Sequence, residues 1–212
     1  MHRFREPVNG FTHFIGVILG FVALIWLMIE TREDRPDKMI SLLIYGVSIV
    51  LLYTASTVFH LAKGTRRRVL LLRRIDHAAI YIMIAGTYTP LVYNVLPELW
   101  RWSILGIVWT MAVVGIIYKL LFLRGQRNVV STLMFIGMGW MGLITLPQAL
   151  LLLDMQAVWL IIIGGLVYTT GAVIFTVERP NLHRHFGHHA LWHVFVLAGS
   201  MLHFAAVAGY IV

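Results

Sequence analysis

The chain contains no cysteine. That excludes disulfides, iron–sulfur clusters and every thiolate metal site, so any transition metal must be held by imidazole and carboxylate. Charge is scarce too. Asp, Glu, Lys and Arg make up 12% of the 212 residues, about half the share of a soluble domain. With 59% hydrophobic residues and a mean hydropathy of +0.83, the composition excludes an ordinary soluble globule. The formal net charge of +8 resembles a nucleic-acid signal. In so apolar a chain, the sorting of Lys and Arg among loops explains it better, and no nucleic-acid partner is expected. A cleavable signal peptide is not expected either, because Met1–Glu6 leads into a first apolar run long enough to span.

What is present, repeatedly, is an apolar run close to the roughly 20 residues that a helical bilayer crossing needs. The expected fold class is an all-α membrane protein, a single domain over 1–212. Its seven transmembrane helices are expected near 11–29, 39–61, 75–95, 102–121, 129–146, 158–177 and 188–211. Pro36 follows the first segment, and Pro147 is expected to break the fifth. One set of loops and termini carries Arg3, Arg5, Lys63, Arg66, Arg67, Arg68, Arg73, Arg74, Lys119, Arg124, Arg127, Arg179 and Arg184. The other carries Arg32, Arg35, Lys38 and Arg101. The positive-inside rule then sets the N-terminus in the cytoplasm and the C-terminus outside, in a multi-pass protein of the plasma or inner membrane. Tyr93, Trp100, Trp102 and Trp159 lie near segment ends and read as interfacial anchors. Gly16 and Gly20 suit either internal packing or a dimer contact.

Candidate chemistry begins at His189 and His193, four residues apart and therefore on one helical face. In the expected topology three other helices bring polar groups to the same cytoplasmic level. Segment two ends with Ser56 and His60, again four apart; segment three begins with Asp76 and His77; segment one is entered through Glu6, Asn9 and His13. Ionisable groups inside spans are costly unless paired, and their default reading is functional. Three imidazoles without a thiolate suit zinc, with a fourth position left for water. Zinc lowers the pKa of that water to about 7, and Asp76 could hold it or act as general base. Ser56 could hydrogen-bond Asp76 or the water, and Glu6, Asn9 and His13 form a network that orients the site.

Plainer readings stand beside these. Glu6 serves equally as a solvated charge at a helix entry, Asn9 as an N-cap, and Ser56 as a donor to the carbonyl one turn back. His77 reads as structural, His183 and His185 as solvent-facing loop residues, and His203 as a buried, hydrogen-bonded histidine.

Three motifs carry a family resemblance. They are Glu6-x-x-Asn9-x-x-x-His13, Ser56-x-x-x-His60 followed by Asp76, and His189-x-x-x-His193. Together and in this order they resemble the progestin and adipoQ receptor family, specifically its short bacterial branch, hemolysin III. The resemblance implies seven helices with a cytoplasmic N-terminus. It also implies zinc held by His60, His189 and His193, with Asp76 holding the zinc water. Relatives in the wider superfamily are associated with hydrolysis of lipid amides. The expected function is therefore a zinc-dependent hydrolase of lipid amides or esters in membrane lipid homeostasis, with a membrane lipid as substrate, Asp76 as base and Ser56 orienting the reacting group. A non-enzymatic sensor or receptor with structural zinc is the alternative class. A cytolytic or channel protein is a third; it calls for polar residues through both leaflets, and the outer one lacks them.

Overall fold

The helices begin where the sequence offers start signals. Pro7 opens α1 (Pro7–Glu30) and Pro36 opens α2 (Pro36–Leu61), both in the first turn, where a missing N–H leaves nothing unsatisfied. The Thr65 side chain accepts from the Arg68 amide and caps α3 (Arg66–Val95). Next come α4 (Glu98–Phe122) and then one rod in three pieces: α5 (Val129–Trp140), a 3-10 turn (Met141–Thr145) and α6 (Leu146–Leu152). Asp154 accepts from the Gln156 amide to cap α7 (Met155–Val177), and Gly187 precedes α8 (His188–Tyr210). This computed structural model describes residues 4–122, 129–183 and 186–212. Arg3, Arg124, Arg127, Arg184 and His185 lie outside the described residues.

Six of the seven rods are long and apolar enough to cross a bilayer: α1, α2, α4, the α5–α6 rod, α7 and α8. The chain is a multi-pass integral membrane protein. The seventh rod, α3, has 30 residues and so measures about 45 Å, but its composition is too polar to join the six. Its first turns carry Arg66, Arg67, Arg68, Arg73 and Arg74, and only from Asp76 onward does it have buried residues. The expected boundary at 75 therefore marks where α3 enters the bundle; the helix itself starts nine residues earlier.

Two further expectations are corrected. The first helix starts at Pro7 instead of 11, which puts Asn9 inside its first turn and Glu6 in the N-cap position, where no side-chain cap bond forms. The fifth rod breaks upstream of Pro147 and then runs through it. The proline ring clashes with the carbonyl four residues back, so the 3-10 turn occupies the residues just before it and Pro147 sits harmlessly in the first turn of α6. Backbone groups freed by the break find a new partner in Tyr88 of α3. Its hydroxyl donates to the Gly139 carbonyl at 2.6 Å and accepts from the Gly142 amide at 2.7 Å. Inside a membrane protein such groups must be re-satisfied by protein.

Neighbouring rods pack in sequence from α1 to α4, α5 then touches α3, α4 and α7, and α7–α8–α1 contacts close the circuit. α1 turns apolar residues such as Ile15, Ile18, Val22 and Ile25 outward, as lipid-facing surface requires. It turns Gly16 and Gly20 toward α2. A Cβ on Gly16 would fall 2.5 Å from the Tyr53 ring, so this pair serves internal packing.

Candidate metal centre

The N-terminal segment is fastened to the end of α2. The Arg5 guanidinium donates to the Phe59 carbonyl at 2.7 Å and lies over the Phe59 ring, and the Glu6 amide donates to the His60 carbonyl at 3.0 Å. This holds the Glu6 carboxylate against the His60 ring, with Nδ1 at 2.6 Å from Oε2. Asn9 Nδ2 donates to the same oxygen at 3.1 Å. Burial would raise the Glu6 carboxyl, but the hydrogen bonds from His60 and Asn9 and the nearby Arg5 charge outweigh it and hold the group low. An ionised carboxylate can only accept, so His60 Nδ1 carries a proton, and in the neutral ring that binds a metal the lone pair is on Nε2. Nε2 is buried and has no hydrogen-bond partner among the described residues.

His193 is held by the same logic. Its Nδ1 lies 2.9 Å from the Asn9 carbonyl and 3.1 Å from Thr12 Oγ1. A carbonyl only accepts, so Nδ1 donates and the His193 lone pair is again on Nε2. His189 stands one helical turn earlier. The three rings form a triangle with centroids 4.9, 4.9 and 4.8 Å apart. One nitrogen from each lies within 4.8 Å of the other two. His13 stacks on His193 at 3.6 Å between centroids, and both of its ring nitrogens are buried without a hydrogen-bond partner among the described residues.

These residues fit a metal ion. Two outer nitrogens are locked by a carboxylate and a carbonyl, which fixes tautomer and ring orientation as in histidine metal sites. The inner lone pairs converge, and a buried nitrogen such as His60 Nε2 is costly to leave unpaired. Beside the cluster, Asp76 is buried, with Ser56 as its hydrogen-bonding neighbour and His60, Arg73 and Lys119 as the nearby charges. His13, Ser56, Asp76, His77, His189 and His193 form one end of a cavity of about 150 Å³ whose other walls are mostly apolar and aromatic. The structure thus brings all eight sequence-predicted site residues into one region. Asn9 reaches His193 through its backbone, and its side chain serves Glu6.

Sequence reasoning missed Lys119 as the partner of His77. Lys119 was assigned to a loop, yet it lies inside α4 with 2% of its surface exposed. Its Nζ is 3.1 Å from His77 Nδ1, behind the cavity wall. The available signal was a lone cation within an apolar run, which is costly in a membrane. Thr12 and Arg5 were missed as well.

Fold and site together define a multi-pass helical membrane protein with a buried three-histidine cluster able to hold a metal ion. The chain belongs to the haemolysin-III related family, whose profile matches residues 1–204. It is 37% identical over 208 residues to hemolysin-3 of Bacillus cereus, covering 98% of this chain and 92% of that protein. The hemolysin-3 homolog of Bacillus subtilis (strain 168) is 35% identical, over 98% and 95%. More distantly, the human monocyte to macrophage differentiation factor is 26% identical over 98% of this chain and 85% of its own length.

Proposed function

We propose that this chain is a zinc-dependent hydrolase of lipid amides or esters, acting in the cytoplasmic leaflet in membrane lipid homeostasis. The observation that carries the reading is a single cavity lined by His189, His193, Asp76 and Ser56 at one end and by apolar side chains beyond. His60, His189 and His193 would hold the ion, because neutral imidazoles without thiolate suit zinc. When bound, zinc supplies Lewis acidity at a carbonyl and a water of lowered pKa.

The chain's own residues supply the rest. Glu6 and the Asn9 carbonyl hold the Nδ1 protons of His60 and His193, keeping the inner lone pairs aimed at one point. Asp76 takes a proton at a carboxylate oxygen, and Ser56 orients that carboxylate or donates to charge developing on the substrate carbonyl. Leu52, Ile80, Phe135 and Phe175 give an acyl chain an apolar wall and keep bulk water out. In this reading α3 is the seventh crossing, the basic turns at its start face the cytoplasm with the N-terminus, and substrate enters sideways between helices.

The test is turnover of a panel of lipid amides and esters by the purified protein in detergent, with Asp76→Asn as control. Hydrolysis in the native chain, lost in a variant that keeps its metal, is the expected result. Stoichiometric zinc without turnover of any substrate, together with loss of stability on chelation, would assign zinc a structural role in a sensor.

A further inference from the structure

The mid-section of the cavity holds one polar atom that nothing described so far employs. The polar side chains around it are satisfied among the described residues. Ser200 donates to the Val196 carbonyl and bonds the hydroxyls of Tyr53 and Tyr168 at 2.6 and 2.9 Å. Thr87 donates to the Met83 carbonyl, Thr169 to the Gly165 carbonyl, and Tyr88 to Gly139. His203 differs. Its Nδ1 lies 2.9 Å from the Gly199 carbonyl and must donate there, which leaves Nε2 as an acceptor. Among the described residues Nε2 has no hydrogen-bond partner. The ring is 9% exposed, and it lines both the cavity of the histidine cluster and an adjoining one of about 120 Å³. Gly164 makes room for it: a Cβ there would fall 2.5 Å from His203 Nδ1 and Cε1.

We propose that His203 is a recognition site for a hydroxyl carried partway along the ligand's chain. His203 follows His193 by ten residues on the same helix, which sets the two about 15 Å apart along α8. The ligand class is an amphiphile with its reacting head at the histidine cluster and a second hydrogen-bond donor near that distance. A plain hydrocarbon chain leaves the Nε2 lone pair buried and unpaired; a mid-chain hydroxyl satisfies it. A donor is required, because Nε2 has no proton to offer a ketone or an ether. The proposal rests on the reading of the cavity as a lipid site.

The experiment is equilibrium binding of radiolabelled stearate, 12-hydroxystearate and 12-oxostearate to the full chain in detergent micelles. An extended chain carries its C12 substituent to about the level of His203. The native protein should bind the hydroxy acid roughly five- to tenfold more tightly than stearate, the gain of about one satisfied hydrogen bond. The oxo acid should show no such gain. In His203→Phe the preference should vanish while stearate affinity stays. Equal affinity for stearate and 12-hydroxystearate in the native protein would overturn the proposal, as would a preference that survives His203→Phe. Should that variant not fold, the three acids on the native chain decide alone. Failure of stearate itself to bind would sink the lipid reading and this proposal together; binding without preference would sink this proposal only.

Discussion

The two ends of the helix bundle use similar polar residues in opposite ways. At the end formed by the starts of α2 and α4 and the finishes of α3 and α8, side chains pair with one another. Tyr93 donates to Asp37 at 3.2 Å, Asn94 to Ser41 at 2.9 Å and Lys38 to the Val212 carbonyl at 3.3 Å, while Lys38 also pairs with Asp34 at 2.9 Å. Asn94 Oδ1 and Arg101 Nε, unpaired among the described residues, belong to side chains already engaged through Asn94 Nδ2 and an Arg101 terminal nitrogen. At the other end, Glu6 and the Asn9 carbonyl bind the outer edges of His60 and His193 and leave the inner edges empty-handed. A closed network stabilises helix ends. An open one, built with equal care on its outer side, holds its lone pairs ready for something the chain does not itself contain.

Five substitutions would break or sharpen this contrast. The largest effect is expected from Asp76→Asn, which should lower hydrolysis of a responsive lipid by about 10²–10⁴-fold with zinc content unchanged, measured as turnover beside elemental analysis. Next is Glu6→Gln, which weakens the partner of His60 Nδ1. It should reduce zinc affinity by about 10–100-fold in a chelator competition, whereas Asp37→Asn at the closed end should leave affinity unchanged. Tyr88→Phe removes the hydroxyl that serves the break between α5 and α6. It should cost about 1–3 kcal/mol in thermal or denaturant unfolding without affecting zinc affinity. The smallest effect belongs to Tyr93→Phe, which severs one bond of the closed network and should cost no more than about 1 kcal/mol, again with the metal retained.

Much of the site was legible because its signals are local. His189 and His193 share a face by spacing alone, as do Ser56 and His60, and the pairs fall at the start of one apolar run and the finish of another, which alternating spans bring to one level. Other parts were hidden for definite reasons. Asn9 bonds His193 through a backbone carbonyl, which no reading of side-chain types can reveal. Lys119 sits near the end of an apolar run, where a solvated lysine is also common; only the packing of α4 on α3 delivers it to His77. The start of α3 was obscured because its arginines look like a loop, although Thr65 caps a helix that carries them beyond the bundle. Pro147 announced a break, but the clash that causes it acts on the turn before the proline, so the irregular segment lies upstream. His203 was correctly expected to be buried and hydrogen-bonded. Its position on the wall of a cavity emerges only when α3, α5 and α7 are assembled around it.

The central claim is that the three inner lone pairs hold a metal ion, and elemental analysis of the detergent-purified protein tests it most directly. The native chain should carry close to one zinc per chain, and His189→Ala/His193→Ala should carry almost none while Asp76→Asn retains it. A native protein that carries no zinc and takes none up when it is supplied would contradict the account, and the hydrolase reading would fall with it.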